Sequence, residues 1–207
     1  MSTVESGARK NILGRVKGIC VSPEAEWAVI DRENSSPASL LTGYVVPLVV
    51  VSAVANFIGN SIVGRTMPFG GTILRVSTGT GLAMAVLSVV LAVLSVVVCA
   101  YIIDALAPAF AAQKNGIQAM KLASYAPTPA WVAGIVQILP VLGLFVLLGA
   151  LYSLYLLYLG LPRLMKCPQD KAIGYTVVVV LCVIVISLIA GMIPAMFLGD
   201  SIAGSIQ

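Results

Sequence analysis

Residues 139–161 carry no charge and then run straight into Pro162 and the basic positions Arg163, Lys166 and Lys171. A hydrocarbon core about 30 Å thick takes roughly 20 helical residues at about 1.5 Å each, so this stretch reads as a membrane span with a basic stop at one end. Composition agrees: 59% of the 207 residues are hydrophobic and 10% are charged, against about 25% charged in an ordinary soluble domain. The class that fits is an all-α integral membrane protein with several crossings.

The same length and composition criterion marks candidate spans at about 40–63, 82–103, 117–139, 142–164 and 173–198, preceded by a polar region, residues 1–39. No internal period or Pro/Ser/Gly-rich linker marks a second domain within 40–198. Pro47 lies inside the first span and should kink it, because it lacks the N–H that bonds back to the preceding turn. Asn56 and Asn60, four residues apart, share a face of that span; an unpaired amide in hydrocarbon is expensive, so both should turn toward neighbouring helices. Residues 64–81 form the one sizeable loop between spans. Its glycines lack the Lys-Ser/Thr of a phosphate loop and the strand that would precede it, and residues 67–76 are apolar enough to dip into the interface.

Asp104 closes the second span and is the one acid so near a span, with Lys121 as a candidate partner. Pro127 and Pro129 should bend the third span, and Gln137 is an amide near its far end. Pro140 and Gly143 read as a tight turn into the fourth span, on which Tyr152, Tyr155 and Tyr158 occupy an arc of about 120° at about 100° per residue. These tyrosines either pack between helices and anchor at headgroups or line a polar path.

Lysine and arginine positions decide how many times the chain crosses. Orientation follows their excess on the cytoplasmic side. With five spans and a cytoplasmic N-terminus, ten of the twelve lie inside: Arg9, Lys10, Arg15, Lys17, Arg32, Lys114, Lys121, Arg163, Lys166 and Lys171; Arg65 and Arg75 lie outside. If residues 131–164 were instead one overlong helix, the division would fall to seven against five. Five crossings, with the C-terminus outside, are the reading that charge supports. The net charge of +4 is then a consequence of topology, and no alternation of basic and aromatic residues points to nucleic acid.

In the N-terminal region Ile12, Leu13, Val16, Ile19 and Cys20 recur at helical spacing, with Arg9, Lys10, Arg15 and Lys17 on the polar side. Such a helix can lie on an anionic leaflet or pack on the bundle. Ser22-Pro23 reads as an N-cap and first-turn proline for a second short helix carrying Glu24, Glu26 and Trp27.

The absence of histidine removes His-based acid/base catalysis and HExxH metal sites, and one aspartate near a span cannot make an aspartyl dyad. Cys20, Cys99, Cys167 and Cys182 form no CxxC pair or disulfide framework. Cys167 sits where lipidated cysteines occur, but one cysteine is a weak signal and a free thiol is the preferred reading. No cofactor is implied and no catalytic group is expected.

Several patches, in order, resemble the YIP (Ypt/Rab-interacting protein) family, in particular its small bacterial inner-membrane branch. They are Ser22-Pro23 with Trp27, Ile30-Asp31-Arg32-Glu33-Asn34, Val46-Pro47, Phe57-Ile58-Gly59, Gly71-Thr72-Ile73-Leu74 before Thr80-Gly81-Leu82-Ala83, Ser124-Tyr125-Ala126-Pro127-Thr128-Pro129, Pro140, and Tyr155-Leu156-Leu157-Tyr158-Leu159-Gly160-Leu161-Pro162. The likeness covers roughly residues 12–197 and implies a five-span bundle with a cytoplasmic N-terminal region in a bacterial inner membrane. Eukaryotic members look like adaptors for prenylated Rab-type GTPases; the bacterial branch implies no such partner, and the resemblance supplies no site residues.

The expectation is therefore a non-enzymatic adaptor or membrane organiser. It would act through a protein partner or anionic lipid at the cytoplasmic face, its oligomeric state being open. The alternative is a small transporter or channel with Asn56, Asn60, Gln137, Asp104 and the three tyrosines along its path. What separates the two is whether these polar groups converge on a cavity or bond to neighbouring helices.

Overall fold

The structure, a computed structural model, describes residues 11–66, 73–139 and 142–203. Two short helices, α1 (Ile12–Val21) and α2 (Pro23–Arg32), precede a long rod, Pro37–Val63. The rod opens with α3 (Pro37–Leu40), continues through α4 (Val46–Phe57), and contains π-helical turns at Leu41–Val45 and Ile58–Val63. Next come a two-residue antiparallel pair, β1 (Arg65–Thr66) and β2 (Ile73–Leu74), with Arg65 opposite Leu74, and α5 (Thr78–Leu106), which ends in a 3₁₀ turn. The remaining helices are α6 (Gly116–Tyr125), α7 (Thr128–Ile135), α8 (Gly143–Leu164) and α9 (Gln169–Ala203).

Four helices among the described residues are long and apolar enough to cross a membrane: Pro37–Val63, Thr78–Phe110, Leu144–Leu164 and Gln169–Met192. They account for the first, second, fourth and fifth expected spans. The third, 117–139, is not one bent helix but two, α6 and α7, broken at Ala126-Pro127. Pro127 lacks the N–H that would continue α6 and itself leaves helical geometry at φ -78°, ψ 3°, and Pro129 follows as a first-turn residue of α7. Pro47 behaves differently. The Leu41–Val45 stretch just ahead of it is π-helical, with the Val46 N–H donating to the Leu41 carbonyl, a wider turn of the kind that accommodates a missing backbone donor.

The path of α6–α7 follows from three bonds to the first rod. Tyr44 meets Thr128, Ser52 donates to the Trp131 carbonyl at 2.6 Å, and Asn56 donates to Gln137. Both numbers rise together, so α7 runs parallel to α4. Helix α8 returns antiparallel: a Cβ at Gly149 would strike Pro129 and Ala133, and one at Gly160 would strike Leu122 and Trp27. The turn expected at Pro140 falls partly on residues 140–141, outside the described residues, and the Leu142 N–H bonds to the Leu139 carbonyl across them. The expected dip of residues 67–76 likewise falls largely on residues 67–72, outside the description.

Packing is uneven along the bundle. The buried side chains of α8 and α9 include Leu156, Leu157, Leu161, Leu164, Ala172, Tyr175 and Val179, and those of α5 include Val96, Ala100 and Ile103. All lie toward the end where α5 finishes and α9 starts. The opposite halves expose Leu82, Val86, Val90 and Leu94 on α5, Leu144, Leu147, Leu148 and Leu151 on α8, and Leu181, Ile184, Val185 and Leu188 on α9. Such faces suit lipid chains, which are as apolar as the side chains they meet. At the packed end Ile19, Trp27 and Ile30 of the N-terminal helices belong to the same buried cluster as Leu122, Leu161 and Tyr175.

Candidate functional site

The closest convergence of charged and aromatic groups lies at this packed end. Helix α1 starts where the Asn11 side chain accepts from the Gly14 N–H at 2.8 Å. Ile12, Arg15 and Ile19 fall on one face, and that face turns inward, leaving Arg15 only 4% exposed. Of the two placements open to the amphipathic helix, packing on the bundle is the one adopted, and one of its basic residues is consumed there.

A buried guanidinium must be paired. Arg15 Nη1 donates to Glu26 Oε1 at 2.6 Å, Nη2 donates to Glu33, and the guanidinium lies 5.5 Å over the Tyr125 ring. Burial works to lower the Arg15 pKa, but the hydrogen bond and charge of Glu33, with Tyr125 and Glu26, carry it above its ordinary value, so the group stays ionised. Tyr125 packs edge-on against Tyr44 at 4.6 Å and Trp27 at 6.5 Å. The Tyr44 hydroxyl and Thr128 hydroxyl lie 2.8 Å apart, and Thr128 donates to the Tyr125 carbonyl at 2.7 Å across the α6–α7 break.

The C-terminal end of α2 is held from two sides. A helix leaves its last carbonyls without internal donors. Lys121, 2% exposed, donates to the carbonyls of Ile30 at 2.9 Å and Glu33 at 2.7 Å, and more weakly to that of Asp31. Gln118 donates to the Asp31 carbonyl and carboxylate, both at 3.1 Å. From the end of α8, Lys166 pairs with the Asp31 carboxylate at 2.7 Å. Lys121 therefore does not reach Asp104, contrary to the sequence expectation: a buried ammonium with three carbonyls in range has its donors satisfied on α2.

Beside this cluster a cleft of about 420 Å³ opens between α2, α8 and the start of α9, lined by Glu24, Trp27, Tyr158, Arg163 and Gln169 among others. Ser22, expected as a side-chain cap, occupies the N-cap position of α2 but makes no side-chain cap bond, while Pro23 takes the first turn. Cys167 on the cleft wall is 5% exposed and sits 3.4 Å from the Pro168 carbonyl; burial pushes its thiol above the usual range. All four cysteines are free.

The polar residues singled out from sequence do not meet at one place. Asn56 donates to Gln137 across helices, and Asn60 donates to Asn56 at 2.7 Å, forming an amide cluster near the far end of the first rod. Asp104 sits near the opposite end, with one buried carboxylate oxygen lacking a hydrogen bond. Tyr152 donates to the Cys20 carbonyl at 2.9 Å and lies 5.7 Å from the Tyr155 ring, Tyr155 is exposed, and Tyr158 lines the cleft. Among the residues that do converge, Arg15, Glu26, Glu33, Tyr44 and Tyr125 were not singled out as a site, and Lys121 was singled out only as a partner for Asp104. The legible signal was Arg15 falling in line with Ile12 and Ile19, with Glu26 in the next predicted helix and Glu33 seven residues on.

Comparison with known proteins extends this picture. Residues 17–194 match the model of the Yip1 domain. Two curated relatives, each named inner membrane protein YohC, one from Escherichia coli K12 and one from E. coli O6:H1, are each 31% identical over 168 residues, which is 79% of this chain and 85% of the relative. No solved structure matches the chain. With its family model spanning the end of α1, all of α2 and all four long apolar helices, this multi-pass membrane protein belongs to the Yip1 family.

Proposed function

We propose that the protein is a non-enzymatic adaptor or organiser of a bacterial cytoplasmic membrane, working through the end of the bundle that carries α1 and α2. The observation that carries this reading is the distribution of cations there. Arg15, Lys121 and Lys166 are committed to internal partners, whereas Lys17, Arg32, Lys114, Arg163 and Lys171 remain exposed, with no ion pair among the described residues. Exposed cations at the end of a bundle attract acidic protein segments and anionic headgroups.

In this reading the chain crosses five times, with that end in the cytoplasm and the C-terminus outside. The parallel course of α4 and α6–α7 supports a third, broken crossing, the distribution of lysine and arginine supports the orientation, and the naming of the E. coli relatives as inner membrane proteins supports the membrane. Impermeant thiol reagents applied to whole cells should label a cysteine placed at Arg75 and spare one at Lys114; the reverse pattern would invert the orientation. Photo-crosslinkers placed at Lys17, Arg32, Lys114 and Lys171 in cells should capture the same protein partner or anionic lipid from at least two positions and not from Arg75. Capture of nothing from that end would remove the basis of the adaptor reading. The transporter alternative is not favoured, because Asn56, Asn60 and Gln137 bond to one another.

A further inference from the structure

The cleft between α2 and α8 has a composition unlike the surface around it. Its walls hold one carboxylate, Glu24 on α2, and one guanidinium, Arg163 on α8, both exposed and neither in an ion pair among the described residues. Trp27 lies at its base, 1% exposed, with an indole N–H that is buried and has no hydrogen-bond partner. Buried Trp N–H groups normally find an acceptor, and a ligand oxygen that reached the base of the cleft would supply one. Gln169 contributes the first turn of α9, where backbone N–H groups point outward and Asp170 already supplies a negative charge, so the anion's main cation is Arg163. The volume of about 420 Å³ falls within the roughly 300–1,000 Å³ usual for small-ligand clefts.

Position narrows the ligand. Arg163 is the last-turn cation of α8 and Gln169 begins α9, so the cleft opens where two apolar helices reach the water boundary. Trp27 and Tyr158 are the amphipathic ring types that sit at headgroup level. One and two turns back along α8 from Tyr158 and Leu159, the side chains of Leu151, Leu154 and Tyr155 are exposed, a continuous apolar track leading away from the cleft into the hydrocarbon.

We propose that this cleft binds the headgroup of a zwitterionic phospholipid, its phosphate on Arg163 and the Trp27 N–H, its amine on Glu24, and its acyl chains along Leu151, Leu154 and Tyr155. Glu24 is what separates this from the anionic-lipid contact of a general basic surface: a carboxylate inside the site repels a second negative charge and pairs with an amine. The inference deepens the reading of this end as a contact surface. Full-length protein loaded with an equimolar mixture of phosphatidylethanolamine, phosphatidylcholine and phosphatidylglycerol, then examined by native mass spectrometry, should retain a zwitterionic lipid over phosphatidylglycerol. Preference for ethanolamine would point to N–H donation to Glu24, and preference for choline to its cation lying between Glu24 and the Tyr158 ring; either supports the site. Arg163→Gln should lower retention about tenfold, as loss of a charge-assisted contact does. Glu24→Gln should shift retention toward phosphatidylglycerol, while Lys171→Gln, outside the cleft, should leave the preference in place. Equal or stronger retention of phosphatidylglycerol by the wild type, absence of any retained lipid, or an unchanged preference in both cleft variants would overturn the proposal. Empty crosslinking from Lys17, Arg32, Lys114 and Lys171 would instead sink the adaptor reading and leave lipid retention untouched.

Discussion

The two halves of the bundle are built from the same helices and similar residues, yet they are held in different ways. Toward the α1–α2 end, Leu156, Leu161, Tyr175 and Ile103 are fully buried, and the same end carries a paired ionic cluster. Toward the other end, Leu94, Leu148 and Leu188, no less apolar, are exposed, and the main cross-helix polar tie is the Asn56–Gln137 amide contact. Apolar side chains gain little by leaving lipid for one another, so hydrophobicity by itself does not draw the far half together. At the near end two polar-flanked helices bring charges that must be satisfied inside protein, and the membrane helices close around them. Tight packing follows the charges rather than the leucines.

The sharpest way to break this contrast is Arg15→Met. It removes the guanidinium that bridges Glu26 and Glu33 in a site where Glu26 is buried, and should cost about 3–5 kcal/mol. Thermal unfolding in detergent should show it, together with faster alkylation of Cys20 as α1 loosens. Next is Leu161→Ala, expected to cost about 2–5 kcal/mol, set against Leu94→Ala, expected to change stability by no more than about 0.5 kcal/mol because its side chain already faces lipid. Equal costs in the two would mean the halves are not differently packed. Lys121→Met removes donors from the Ile30 and Glu33 carbonyls and should cost about 1–3 kcal/mol, read as earlier proteolysis within α1–α2 than in the rest of the chain. Asn56→Leu in the far half should cost about 0.6 kcal/mol, and under 2, by the same unfolding measurement.

The smallest effect sharpens the boundary of the near half. Burial raises the Cys167 thiol pKa, so the thiolate that alkylates is scarce at neutral pH and appears only as pH rises through that elevated value. Maleimide labelling of Cys167 in native protein should therefore be slower between pH 7 and 8 than after denaturation. The sign extends to stability: a thiol whose folded pKa is raised favours the folded state below its unfolded pKa, and that contribution is lost as pH climbs through the folded value.

Much of the fold was legible because membrane crossing depends on length and composition, which are local properties. The apolar runs at 40–63, 82–103, 142–164 and 173–198 each correspond to a long helix, and the prolines at 127 and 129 mark a real break. The amide at Asn56 was legible as an interhelical group, since hydrocarbon leaves an amide few alternatives; that Gln137 is its partner was not. The ionic cluster was not. Arg15 and Lys17 are the same kind of residue two positions apart, and only the direction of α1 against α6 and α8 decides that one is buried and the other exposed.

The sequence by itself determined that this is a multi-pass helical membrane protein of the Yip1 family, with cations biased to one set of loops. Those conclusions rest on quantities each segment carries alone: apolar length, charge count and motif order. The tertiary structure decided that α1 packs into the bundle, that Lys121 holds α2 rather than Asp104, and that Glu24, Trp27 and Arg163 share a cleft. Those depend on which faces meet across distant parts of the chain. A charge near a membrane has several ways to be satisfied, and only the folded arrangement selects one.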